Sequence, residues 1–555
     1  VLASLPRTTV FAYLVGAWKR TNAAQSALSK RKHPPAETQA AGALLAKLRD
    51  LVISYAGLAL QDPYMFPQPD GADPTTLGAP ELVKPLLELS ALSGPLSSAP
   101  ASTLLTPPEV GPFLQDLSAR FHPSGELADV LGPVFTALLT TPALANPAGL
   151  VAPDAAWRRI LAALDALLSV RGAPDALTSL PNWCPADASA ADFEHRALLG
   201  PLLRLGTFAG EWPYIANTYF SDIERRTRAD VDASWASLRG TLKSLQNGLF
   251  GVLNTLVRAG AGPRARVLEF FARVVRLNHK RAGMQVDAAT VAGDSFMLNA
   301  LVLLLRLAEP FMDSRYSKLD RVEATYFARS ALLDLGDETR VCAQQDEARA
   351  WEARVRDEQA GAPPPNFVSD VFWLAVATLH FGLLQTAARL DGDARHHEDL
   401  RGHIAQIEAD TSWRDAPWRA RTEAALEAAK KQRAELGAAQ FAARAALEDG
   451  EVSFRALAFA NFVATWILRV VDPRGKHPEP VVELPLPREA PWAFRALPEY
   501  MFDDVVGTLR FYARWAPSAL ALAGKAEVVQ FALAFLTSTW YVTNPFLKSK
   551  LVEVR

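Results

Sequence analysis

The chain has 555 residues, half of them hydrophobic and 21% charged, with a formal net charge of −2. That apolar content supports a large core or several stacked units and excludes wholesale disorder. The near-neutral charge argues against a protein that binds nucleic acid by neutralising phosphates, and two distant cysteines, Cys184 and Cys342, offer neither a disulfide framework nor a thiolate zinc site.

The first residues, VLASLPRTTVFAYLVGAWKR, lack an initiator methionine, so the chain reads as a fragment or a processed form. No basic segment precedes their apolar residues and Arg7 interrupts them, which disfavours a secretory signal. SKRKHPP at Ser29–Pro35 has the composition of a nuclear-import signal, but such short runs usually read as a solvated helix end. The stretch AAGALLAKLRDLVISYAGLAL then repeats apolar residues at helical spacing, and QDPYMFPQPDGADP stops it. Residues 90–155 are rich in Pro, Ser, Ala and Gly and predict short helices separated by loops.

Further on, AAWRRILAALDALLSV and SWASLRGTLKSLQNGLFGVLNTLV are again amphipathic. In RARVLEFFARVVRLN the apolar residues Val267, Leu268, Phe271, Val274 and Val275 fall on one helical face, with Arg266, Glu269, Arg273 and Arg276 on the other. The next stretch, MQVDAATVAGDSFMLN, carries Asp287, Asp294 and a Gly293-Asp294-Ser295 triplet of the kind found in some serine hydrolases. A nucleophilic serine needs a strand-turn-helix setting with a placed His and Asp. Here helical sequence lies on both sides. Asp287 is therefore expected to cap a short helix through AATVA, and Asp294 or Ser295 to cap the helix beginning near Phe296, with Met284, Met297 and Leu298 in the core.

Residues 391–450 are dense in Ala, Glu, Arg and Lys with little apolar stripe, and predict one or two exposed helices projecting from the main body. Glu423 and Glu427 can pair there with Lys430 and Lys431. His396, His397 and His403 lie in the same stretch without Cys partners or a usual zinc spacing, so they read as surface histidines. Asp503-Asp504 follows Pro498 and Glu499 and suits a helix start, where negative charge complements the macrodipole. Val528–Leu547 carries no charge and is long enough to span a membrane, but its polar residues and Pro545 favour a buried helix of a soluble protein.

Many amphipathic helices joined by short breaks, with no strict period, predict an all-α, elongated, armadillo/HEAT-like helical solenoid. No phosphate-cradling loop, dinucleotide fingerprint or HExxH is present. No catalytic, cofactor-binding or metal residue is assigned.

Residue order adds a resemblance. FFARVVRLNHKRAGMQVDAATVAGDSFMLNALVLLLRLAEPFMD closely resembles the most distinctive block in the core of the ubiquitin conjugation factor E4 family. There an asparagine precedes an R-x-x-M-Q stretch, followed by an Asp-Gly-Phe-Met-Leu-Asn run and a leucine-rich helix. Other blocks follow in family order: EHRALLGPLLRLGTF at Glu194–Phe208, YFSDIERRTRADVDASWASLRGTLKSLQNGLF at Tyr219–Phe250, NFVSDVFWLAVATLHFGL at Asn366–Leu383, LPEYMFDDV at Leu497–Val505 and NPFLKSKLVEV at Asn544–Val554. Ser295 replaces the family's usual glycine, which makes a serine nucleophile foreign to it.

The resemblance implies residues 1–190 as a family-variable helical region and 191–555 as the ubiquitin-elongating core, truncated before its end. The charged excursion at 391–450 lies within that core. It implies a scaffold for a U-box ligase that extends chains on already ubiquitinated proteins for proteasomal degradation, without covalent intermediate, metal or cofactor. Expected partners are ubiquitinated proteins, a ubiquitin-conjugating enzyme reached through the U-box, an AAA ATPase segregase of the valosin-containing protein type and shuttle factors with ubiquitin-like domains. Neither nucleic-acid binding nor membrane insertion is expected, and the expected location is cytoplasmic and nuclear. With no U-box before Arg555, the polypeptide is expected to be inactive alone. The alternative is a non-catalytic helical-repeat interaction scaffold that has lost ligase activity.

Overall fold

The computed structural model describes residues 8–30, 36–90, 104–334, 336, 338–522, 524 and 526–552. Most of the nuclear-import candidate, residues 31–35, lies outside them. The fold is an all-α helical solenoid. Among the described residues the extended pairing is a single isolated bridge between Arg340 and Pro498.

Local sequence accounts for most of the helix boundaries. Helix α1 (Val10–Ser29) begins where the Thr9 hydroxyl accepts the Ala12 N–H at 3.2 Å, and it buries Val10, Phe11, Leu14, Val15 and Trp18 along one face. It packs against α2 (Ala36–Gln61), which ends at the turn-forming Asp62-Pro63. In the Pro-rich region α3 (Pro107–Phe121) and α4 (Leu127–Leu139) are longer than expected, because Pro107 and Pro108 sit in the first turn of α3, where the missing N–H costs nothing. Residues 91–103 lie outside the described part.

Helix α5 (Ala156–Leu168) packs on α6 (Arg228–Ala259). The α6 start is a reciprocal cap: Thr227 Oγ accepts the Asp230 N–H at 3.2 Å while Asp230 accepts the Thr227 N–H at 3.3 Å. The Gly/Pro-containing stretch AGAGPRA breaks the helix only at Gly260. Helix α7 (Ala261–Asn278) resumes at once, with Pro263 tolerated in its first turn. Its expected inner face is buried as read, and Phe270 joins it.

Helix α8 (Asp294–Ala308) is apolar all round and almost wholly buried. A helix of that composition must be surrounded. It touches α6, α9 (Phe367–Thr378) with the π-helical turn Leu379–Leu384 that follows, and α11 (Gly450–Val471). Contacts from residues 200 to 471 therefore converge on it, so this part departs from strict nearest-neighbour stacking. An aromatic cluster beside it ties the later helices together: Trp373 stacks on Tyr326 at 5.8 Å and meets Trp466 edge-on at 5.3 Å.

The charged excursion is a pair of helices, the continuation Gln385–Ala409 and α10 (Arg419–Leu447), packed on each other. Glu427 does pair with Lys430 at 3.5 Å, and Lys430 also reaches Glu408 of the facing helix at 3.0 Å. Glu423 pairs with Arg419 and Lys431 with Glu435 instead. Burial in α10 is concentrated at its base, through Ala438, Ala442 and Ala445 to Leu447, with Leu426 buried further out.

The apolar segment 528–547 is corrected. It is not one buried helix. Helix α13 (Ala526–Thr537) ends before a short turn at Thr539–Tyr541, and α14 (Pro545–Val552) follows, because Asn544-Pro545 starts a new helix rather than continuing the old one. Val529 and Leu533 are half exposed. Among the described residues three helical stretches, Leu127–Ala145, Phe367–Ala409 and Gly450–Val471, are long and apolar enough to cross a membrane by length and composition, with 50%, 72% and 72% of the apolar window buried inside the fold.

Candidate functional site

The N-terminus of α8 is where the polar residues of the MQVDAATVAGDSFMLN stretch converge. Asp287 caps a short turn as expected, accepting the Ala289 N–H at 2.9 Å. Asp294 does not cap α8. It is the first residue of that helix, and its carboxylate turns away to accept the Arg281 guanidinium at 2.6 Å, the Thr386 hydroxyl at 2.7 Å and the Arg389 guanidinium. The capping acceptors come from far upstream instead. Glu211 accepts the N–H groups of Asp294 and Ser295, and Glu194 accepts the Gly293 N–H at 2.7 Å. Met284 is also corrected: it is fully exposed, whereas Met297 and Leu298 are in the core.

Arg281 holds the arrangement. Its side chain is 1% exposed, and besides Asp294 it donates to the carbonyls of Phe381 (2.7 Å) and Ala292. Asn278 completes the loop, donating to Val274 O at 2.9 Å and accepting the Ala292 N–H at 2.8 Å. One turn into α8, Asn299 donates to the carbonyls of Leu203 and Leu205 and accepts from Gln246 at 3.0 Å. Burial raises the Asp294 carboxyl, but Arg281 and Arg389 outweigh it and hold it below the usual range. Among the described residues no cation pairs directly with Glu211. Burial, then the Asp294 charge, pushes it up to about 7.

Ser295 is 1% exposed, and its Oγ has no hydrogen-bond partner. A Cβ on Gly206 would collide with it, so the serine is wedged against a close backbone approach, and the acid beside it, Glu211, accepts its backbone N–H. Ser295→Ala is therefore expected to leave the melting temperature unchanged or raise it, by up to ~1 kcal/mol of stability, since it removes an unsatisfied buried hydroxyl. Labelling of the native chain by a fluorophosphonate probe, lost in Ser295→Gly, would overturn that.

The Phe381 carbonyl that Arg281 holds belongs to the π turn Leu379–Leu384. Such turns are concentrated at functional sites, because the extra residue re-aims a side chain. Here the neighbouring His380 donates or accepts through Nδ1 to Asp504 at 2.9 Å, and its ring stacks on Tyr500 at 4.1 Å. Both come from α12 (Tyr500–Trp515). The expectation for Asp503-Asp504 thus splits. Asp503 does lie in the first turn of α12 and pairs with Lys550 at 2.6 Å, but Asp504 is buried and serves His380 rather than the helix dipole.

Burial favours neutral His380, yet the Asp504 carboxylate outweighs it and raises the imidazole above its ordinary value. Burial also raises Asp504, to about 6, against the pull of His380. Both shifts describe one proton held by a coupled pair. The pair lines an open groove of about 700 Å³ with Leu384, Ala388, Gly507 and Phe511. Asp391, bonded to Arg514 at 3.0 Å and Trp515 at 2.9 Å, closes one side.

His396, His397 and His403 lie along the excursion, where His396 contacts Gln432 at 3.2 Å. Among the described residues no group of three His, Cys, Asp or Glu side chains converges as a metal site. Cys184 and Cys342 are both free thiols, partly buried.

Reading the sequence located Asp294 but missed its purpose, and it missed Glu194, Glu211, Arg389 and His380. Arg281 was visible as the first residue of the R-x-x-M-Q stretch. The glutamates gave no local signal, since their partners lie more than 80 residues away in the chain.

Residues 199–555 match a family described as the ubiquitin elongating factor core. The chain is 28% identical over 546 residues to a ubiquitin conjugation factor E4 of Schizosaccharomyces pombe, covering 98% of this chain and 50% of that protein. It is 26% identical over 594 residues to a probable ubiquitin conjugation factor E4 of Arabidopsis thaliana (98% and 55%). It is 26% identical over 381 residues to the E4 ubiquitin-protein ligase UFD2 of Saccharomyces cerevisiae (65% and 39%). The chain spans about half the length of the first two, and less of the third.

Proposed function

The chain belongs to the ubiquitin elongating factor core family, and from that membership we propose that residues 1–555 are the scaffold of a U-box ligase that lengthens ubiquitin chains on already ubiquitinated proteins. The observation that carries this reading is the family match over residues 199–555, which contains the whole Arg281–Asp294 lock and the groove it borders. The scaffold holds the client or its ubiquitin, and a U-box holds the charged conjugating enzyme. The rate gain is one of proximity, from presenting the thioester to an acceptor lysine at high effective concentration. The groove beside His380 is our candidate for the client contact, because it is concave, fixed by Arg281 on its inner side and built on a π turn.

The same reading extends to an AAA ATPase segregase of the valosin-containing protein type and to shuttle factors with ubiquitin-like domains as partners. It places the protein in the cytoplasm and nucleus, on the path to proteasomal degradation.

The test is a reaction of activating enzyme, conjugating enzyme, ubiquitin and a mono-ubiquitinated substrate. The 555-residue polypeptide alone is expected to transfer nothing, and its fusion to a U-box to lengthen chains well beyond what the U-box achieves by itself. Ala388→Trp, which fills the groove from an exposed position, is expected to cut elongation by the fusion at least roughly tenfold without changing its melting temperature, by loss of positioning. A fusion no better than the isolated U-box would overturn the scaffold reading. Unchanged elongation by Ala388→Trp would overturn only the choice of groove.

A further inference from the structure

Helix α2 carries two apolar faces; the fold buries one of them and touches the other only near its end, where the Tyr55 ring meets Phe66 edge-on at 6.0 Å. Val52, Ile53, Ala56, Ala59 and Leu60 are buried against α1, α3 and α4. The other face has an apolar residue at every step of an alternating three- and four-residue repeat: Ala41, Leu44, Leu48, Leu51, Tyr55 and Leu58. Leu44 is 68% exposed, Leu48 45%, Leu51 50% and Tyr55 42%. Ala41 is exposed as well, and Leu58 is half-buried. Single exposed leucines need no explanation. A continuous seam with a mean spacing of 3.5 residues does, because that spacing keeps one stripe facing a partner helix as the two wind around each other.

The order of this seam survives reversal. Turning the helix about the midpoint between Arg49 and Asp50 exchanges Leu48 with Leu51, Leu44 with Tyr55, and Ala41 with Leu58. A two-fold contact demands this self-complementarity, since the same patch must serve both partners. We propose that α2 is the contact of a homodimer, lying antiparallel on α2 of a second copy of this chain. Leu48 of one copy then packs on Leu51 of the other, Leu44 on Tyr55, and the small Ala41 on Leu58. Charge agrees with the same geometry. Lys47 is exposed, and Asp50 is 67% exposed at its side chain with Arg120 no nearer than 3.8 Å. The two-fold brings Lys47 of each copy within one helical turn of Asp50 of the other, so opposite charges meet twice along the outer flank. One helix from each copy makes a small interface, so the dimer is weak and concentration-dependent.

Sedimentation equilibrium of the full 555-residue chain tests this. A monomer–dimer equilibrium with a dissociation constant of roughly 10–100 µM is expected. Leu48→Lys should raise that constant at least ~tenfold while circular dichroism and melting temperature stay as in the native chain. Lys47→Glu should weaken association through like charges, and adding Asp50→Lys to it should restore the native constant. That rescue does not depend on how Leu48→Lys folds, and only the antiparallel register provides it. A chain that stays monomeric at roughly 300 µM overturns the proposal. So does a dimer indifferent to Leu48→Lys, a charge swap that fails to rescue, or a monomer whose seam instead binds ubiquitin or an amphipathic helical peptide.

Discussion

Arg281→Met is expected to destabilise the protein by roughly 3–5 kcal/mol, the usual cost of breaking a buried ion pair from one side. Methionine fills much of the same space, so the loss is one of charge and hydrogen bonds rather than volume. Two buried carbonyls, Phe381 and Ala292, lose their donor, and Asp294 is left to Arg389 and Thr386 alone. Arg281→Lys keeps the charge but cannot reach Asp294 and both carbonyls together, as a planar guanidinium does, so it should fall between Arg281→Met and the native chain. A chain of this size unfolds in parts, and the informative measurement is local. Hydrogen exchange should accelerate first in residues 292–296 and 379–386, the two segments Arg281 joins, with the first thermal transition lowered. A cost below about 1 kcal/mol, or exchange changed equally everywhere, would show that Arg281 does not lock the π turn to α8.

The second large effect is a dependence on pH at Glu211. Its folded carboxyl stands near 7 against an ordinary value of 4.5. Well below pH 4.5 the group is protonated in both states and contributes nothing. Between 4.5 and about 7 the folded protein keeps a proton that the unfolded chain has lost, so stability falls as pH rises and levels off above that window. The shift corresponds to a loss on the order of 3 kcal/mol between the two plateaus. Glu211→Gln keeps an acceptor oxygen for the N–H groups of Asp294 and Ser295 but cannot ionise. It should match the native chain within about 1 kcal/mol near pH 5 and exceed it at pH 8. Comparing the two proteins across pH cancels the contribution of Asp504 and His380, which lose stability in the same direction, and that of His477, which burial lowers to about 4 and which acts in the opposite one. A difference curve that is flat from pH 5 to 8 would show that the capping N–H groups hold Glu211 ionised throughout.

Much of this protein was fixed locally and could be read in order along the chain. Apolar spacing placed the buried face of α7, since a helix needs only its own residues to set its period, and the Thr227–Asp230 cap that the structure shows at the start of α6 is equally local. The order of the blocks from Glu194 to Asn544 carried the family, a match that now covers residues 199–555. The segment 528–547 failed for an equally physical reason. A run without charges reports composition, while the turn at Thr539–Tyr541 depends on docking: Ser538 Oγ accepts the Leu486 N–H and Trp540 donates to Pro487 O, both about 50 residues away.

Polar roles were decided by the tertiary structure alone. A carboxylate beside a helix start satisfies local chemistry equally well as a cap or as an ion-pair partner, so Asp294 was read as the first and proved to be the second. What separated them was a buried arginine 13 residues earlier, a partly exposed arginine 95 residues later and a glutamate 83 residues before it, which took over the cap. His380 acquired its partner in the same way, from Asp504 across 124 residues. A helix period repeats within each turn and is therefore written in sequence. The charge balance of a buried cluster is set by whichever side chains the packed helices bring within 3 Å, and only the folded chain contains that information.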